Sequence, residues 1–218
     1  MDDITLNLIA LAFFVLLGSA VFLLVRRGQA KKEQQILQMA SENGWTVKTI
    51  REPLVWGLRL TSASWTLQAL SRSSGTDSAT GSPNVEMSTI WRAPVPGSTL
   101  LIGPRSSQAN LGGMGEMLTR KVLELALGAG AEGLKEVQAG SESLRQKYMI
   151  WAQDPVELES LLTPAVENAL LTWKSEPLII KRTADDLSIE LRGVRLQKAD
   201  ELRAMLQLGE LLLEALRL

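Results

Sequence analysis

The chain contains no histidine and no cysteine. Without histidine it lacks the commonest general base and the commonest metal ligand together, which argues against zinc and haem sites and against His-containing triads. Without cysteine there is no disulfide framework, no iron–sulfur site and no thiol nucleophile. Charge is also scarce in excess of either sign: 23 Lys and Arg face 24 Asp and Glu, for a formal net charge of −1. Nucleic-acid binders carry a basic footprint, and none is present here. Aromatic usage is lopsided, with six Trp against one Tyr and three Phe.

Charge is missing altogether from Ile4 to Val25 (ITLNLIALAFFVLLGSAVFLLV). As a helix this stretch is about 33 Å long, close to the ~30 Å hydrocarbon core of a bilayer. Apolar residues run around its whole circumference, unlike the one-sided stripe of a surface helix. Asp2 and Asp3 precede it, while Arg26, Arg27, Lys31 and Lys32 follow it, the reverse of a cleavable signal peptide. The pattern predicts an uncleaved single-pass anchor (residues 1–27) in the inner, or plasma, membrane. The basic cluster sets the N-terminus outside and the rest in the cytoplasm, and also suits anionic lipid head groups. Within the span, Asn7 suits an interhelical hydrogen bond, and Gly18 and Ser19 suit close approach of another helix.

All the basic residues lie beyond the span, and there the charges nearly balance. Residues 28–44 predict a juxtamembrane amphipathic helix with Ile36, Leu37, Met39 and Ala40 at helical spacing, ended by Asn43-Gly44. Residues 45–218 predict a cytoplasmic α+β domain, one body or two subdomains (45–110 and 111–218). WTVKTIREP and VWGLRLTSASWTLQALSRS alternate apolar and polar residues and break at Thr61–Ser64, as a hairpin does. Leu58, Leu60, Trp65, Leu67 and Ala69 fall on one side of that hairpin. Ser73–Asn84 reads as a surface loop, and Pro94-Val95-Pro96-Gly97 separates two further strands. The expected pattern is an antiparallel meander.

The second half is expected to hold a helix over EMLTRKVLELALGAG, a strand over Arg145–Gln153, and a helix opened by Asp154-Pro155 and broken near Leu162 by Pro164. A hairpin turning at Ala184-Asp185-Asp186 and a final helix from about Lys198 to Leu218 complete it. That brings the count to about three to four helices after the span. From Lys147 to Leu218 this order, with DPVELESLLTP after an aromatic strand and before a terminal hairpin and helix, resembles uncharacterised bacterial single-span proteins. The resemblance implies a membrane-tethered α+β domain and no known activity.

Candidate chemistry is thin. LGGMGEM (Leu111–Met117) is a Gly-rich loop entering a helix, but Glu116 and Met117 stand where a phosphate-binding loop needs Lys and Ser or Thr. Glu157 and Glu159, two apart, point to different faces of a helix. Asp185-Asp186 suits a turn, and Asp200-Glu201 suits a helix N-terminus. Serines form no Gly-x-Ser-x-Gly elbow. No catalytic, metal or cofactor residue is therefore expected. Five of the six tryptophans fall in or beside strands and read first as core; at least one of the six is expected at a partner contact, with Trp45 and Trp56 the candidates.

These exclusions point to a non-catalytic accessory or scaffolding subunit of a larger membrane complex. Its partners would be other membrane subunits and the bilayer, with no nucleic acid, and it could also self-associate. The alternatives are an anchored signalling or ligand-binding module and, third, a tethered enzyme working through carboxylates.

Overall fold

The structure is a computed structural model that describes residues 3–76, 83–105, 133–174 and 178–217, with the side chains of 3–18, 20, 21, 24 and 25 outside the described set. Two compact units divide the chain, Met1–Gly44 and Trp45–Leu218. The first is one continuous helix, α1 (Asp3–Glu42). It does not break at Gly28. Gly44 ends it with φ 68°, a conformation that a Cβ disfavours, while Asn43 Nδ2 donates to the Met39 carbonyl at 2.8 Å.

Among the described residues, no helix is long and apolar enough to cross a membrane. That finding overturns the anchor expected over Ile4–Val25, and with it the single-pass inner-membrane placement with an outside N-terminus and a cytoplasmic domain. A span needs about 20 consecutive, mostly apolar residues. The helix runs on past that stretch through Arg26, Arg27, Lys31, Lys32 and Glu33, all exposed.

Among its described residues the second unit is an α+β fold on one nine-stranded sheet. The strands are β1 (Thr46–Glu52), β2 (Val55–Thr61), β3 (Thr66–Thr76), β4 (Pro83–Ala93), β5 (Leu100–Pro104), β6 (Lys135–Glu136), β7 (Tyr148–Ala152), β8 (Leu178–Arg182) and β9 (Leu187–Arg192). The helices are α2 (Glu142–Lys147), α3 (Pro155–Leu161), α4 (Pro164–Thr172) and α5 (Ala199–Ala215). Spatial order is β1-β2-β3-β4-β9-β8-β5-β7-β6, and every pairing is antiparallel. An N-terminal meander, β1 to β4, thus meets the C-terminal hairpin, β8–β9, in mid-sheet.

Register follows the period-two pattern. Leu60, Leu67, Trp91 and Ile189 stand opposite one another across four strands and are all buried. Helix α5 lies over this row. A Cβ on Gly209 would overlap the Trp91 indole, so only glycine lets the helix come so close. Caps set the shorter helices: Asp154 accepts from the Val156 N–H at 2.9 Å, and Thr163 Oγ1 accepts from the Val166 N–H at 3.3 Å. Pro164 opens α4 rather than kinking one long helix, and the break falls at Leu162–Thr163. On the opposite sheet face Leu101, Met149 and Trp151 form a smaller cluster with Leu134 and Ile179. The helix expected over 116–130 lies outside the described residues.

Candidate functional site

The densest polar constellation joins the β4–β5 connection, α3 and β8. Arg182 ends β8 on the helix-bearing face and is only 4% exposed. Its Nη1 donates to Glu157 Oε1 and its Nη2 to the Pro96 carbonyl. Glu157 Oε2 accepts the Ser98 N–H at 3.0 Å and the Ser98 hydroxyl. Beneath the guanidinium, Gly97 leaves room that a Cβ would fill. Alongside, Gln153 N–H donates to the Thr99 carbonyl at 3.0 Å, and Thr99 N–H donates to Gln153 Oε1 at 3.2 Å.

Burial alone would raise the Glu157 carboxyl. The two Ser98 hydrogen bonds and the Arg182 guanidinium outweigh it, and the group titrates below the ordinary carboxylate range. A carboxylate kept ionised and engaged on both oxygens is a strut, with no free valence for acid–base work. Sequence reasoning set Glu157 beside Glu159. The relevant partner is Arg182, 25 residues away on a strand.

The other acidic pairs also serve local structure. Asp186 accepts from Thr183 Oγ1 at 2.9 Å and pairs with Arg92 at 3.0 Å. Glu201, in the first turn of α5, pairs with Lys198 at 2.7 Å. No group of three metal-ligating residues occurs among the described residues. The Gly-rich Leu111–Met117 lies outside them.

Of the residues expected at partner contacts, the side chains of Asn7 and Gly18 lie outside the described set, and Ser19 is exposed. Arg26, Arg27, Lys31 and Lys32 are exposed along α1. Trp45 is half-buried and meets the buried Trp65 edge-on, with ring centroids 5.1 Å apart. Trp56 is also half-buried, and it belongs to a larger feature.

That feature is an apolar strip at one end of the helix-bearing face. Trp56 stands opposite Ser71, which stands opposite Met87, while Ser73 stands opposite Val85. The Ser73 N–H donates to the Leu54 carbonyl at 2.8 Å, which brings the β1–β2 turn alongside. Met87 and Val85 continue the inward alternation of Trp91 and Thr89, yet they are 41% and 36% exposed; Leu54 is 59% exposed. Ser71, between Trp56 and Met87, is itself buried, so the exposure lies at Leu54, Val85 and Met87. Sequence reasoning singled out Trp56 alone. The alternation in NVEMSTIW, running two apolar positions past the part that is covered, carried the signal for Val85 and Met87.

A groove of about 440 Å³ lies between the β2–β3 turn and α5, lined by Ser62, Ser64, Trp65, Glu210, Leu213, Glu214 and Arg217. Its two carboxylates sit one helical turn apart beside an indole wall. Comparison with family models, curated proteins and solved structures finds no match to this chain.

Proposed function

We propose that the chain is a non-catalytic accessory or scaffolding subunit that docks on a partner protein through the strip formed by Leu54, Trp56, Val85 and Met87. The observation that carries this reading is that strip. Leu54, Val85 and Met87 stay exposed near the half-buried Trp56 although the same sheet face is packed elsewhere. Contiguous exposed apolar surface of this kind marks protein-interaction sites, whereas scattered single residues do not. Trp and Met at its centre suit an interface core.

The test is purification of the tagged full-length protein from its native source, wild type beside M87D and V85D. These positions are already exposed, so the variants are expected to keep their thermal midpoint. The wild type should bring down a stoichiometric protein that the variants lose. A wild type that purifies without a stoichiometric partner sinks the reading, as do variants that retain the same partner in full. The groove beside Trp65 favours a second reading, a ligand-binding module. Its sign would be a ligand that quenches tryptophan fluorescence in the wild type and not in E210Q/E214Q.

A further inference from the structure

β1 is an edge of the sheet among the described residues. Alternate residues of an edge strand turn unpaired N–H and C=O groups outward, a template for another strand. The seven residues of β1 are mostly exposed, and Ile50 alone is buried. Lys48, Ile50 and Glu52 share one face. Lys48 stands directly opposite Arg59 on β2, a like-charge neighbour, and Glu52 stands opposite Val55. Neither Lys48 nor Glu52 makes an ion pair among the described residues.

We infer that β1 pairs antiparallel with β1 of a second copy of this chain, about a two-fold axis through Ile50. In that register Lys48 of each copy stands opposite Glu52 of the other, and Ile50 meets Ile50. The two charges left unpaired in one chain become two cross-strand ion pairs that flank an apolar centre. Shifting the axis to Thr49 sets Lys48 against Ile50 and Glu52 against Thr46, and both ion pairs disappear. A two-fold axis perpendicular to the sheet keeps each residue on its own face, so intermediate registers are excluded. The charge pattern therefore complements itself in one register, as an isologous contact requires. A contact of this size lies at the small end of protein interfaces and forms a reversible dimer, with a Kd in the micromolar range.

The experiment is sedimentation velocity of the full chain over about 1 to 200 µM, a window that brackets such a dimer. Wild type, K48E, E52K and the double variant K48E/E52K are compared. Each single variant turns both pairs repulsive and is expected to weaken the dimer roughly tenfold. The double variant, with its charges exchanged, is expected to restore it. A wild type that stays monomeric overturns the proposal, as do single variants without effect or a double variant that does not recover. The last two results are what self-association through any other surface would give.

Because the chain has no cysteine, single thiols report the register. I50C should form an intermolecular disulfide across the axis, and T49C should not. The opposite result overturns the proposal. Loss of the partner protein in M87D would leave all these outcomes unchanged, so this inference and the docking strip fail separately.

Discussion

A guanidinium shut away from water, like that of Arg182, is tolerated where its charge is met and its N–H groups are bonded. Glu157 supplies the charge and Pro96 a carbonyl, while Nε has no partner among the described residues. Removing the carboxylate strands the cation. E157Q should therefore destabilise the fold by about 2–4 kcal/mol at pH 7, and R182M, which takes the charge away as well, by less. The folded-state pKa of Glu157 lies below its ordinary value. Its contribution is thus complete above the unfolded value, about 4.3, and is lost as pH falls through the folded one. Urea midpoints of wild type and E157Q from pH 7 to pH 3 should converge at the acid end. A gap that does not narrow at all as pH falls below about 4.3 would mean that packing, and not charge, holds the Ser98 connection. Tyr148 illustrates the same balance in an uncharged group: burial pushes its hydroxyl up to about 12, and it donates to the Leu170 carbonyl at 3.3 Å.

At the level of elements, α4 ends under a clamp. Lys147 Nζ donates to the carbonyls of Leu170, Leu171 and Trp173 at 2.9, 3.1 and 3.1 Å, so one cation satisfies the groups left open at that helix end and opposes its dipole. K147M should cost about 1–2 kcal/mol, read as a lowered thermal midpoint. It should also speed amide exchange in the last turn of α4 before the rest of the helix. Unchanged exchange there would count against the clamp. Lys147 also shows where sequence reading stops. Arg145–Gln153 reads as a strand, because apolar residues crowd its second half. Ser141, however, accepts from the Leu144 N–H at 3.3 Å and turns residues 142–147 into α2, leaving the strand to begin at Tyr148. Signals confined to a few neighbours were legible: the Asp154 cap, the Pro164 break, the turn at 184–186 and the glycine after α1. Contacts between distant residues were not. Nothing near Glu157 in sequence points to Arg182, and the exposure of Met87 depends on where helices come to rest. The apolar run at the start of α1 pointed to an anchor, whereas among the described residues no helix is long and apolar enough to cross a membrane.

Across the whole second unit, the least local event is the pairing of β4 with β9, where Trp91 meets Ile189. It joins a meander that could close early to a hairpin that is made last along the chain. At the seam β4 borders β9 directly, so each half completes the sheet edge of the other. Thr89 ties the seam further: its hydroxyl donates to the Val194 carbonyl at 3.0 Å and accepts the Leu196 N–H at 2.9 Å. Long-range antiparallel pairing of this kind makes folding slow, in the range of milliseconds to seconds, because loop closure precedes the contacts that reward it. It also makes the centre cooperative. Residues 187 to 191 of β9 are all buried, whereas β1 is largely exposed, so native-state hydrogen exchange should grade outward from the seam. Amides of β4, β9, β8 and β5 should exchange only by global unfolding, with one shared dependence on denaturant. Those of β1 should exchange through local opening, at least ~100-fold faster in dilute protein. Two groups of protected amides that differ in denaturant dependence, one for the meander and one for the hairpin, would show instead that the halves unfold separately and that the seam is a weak joint.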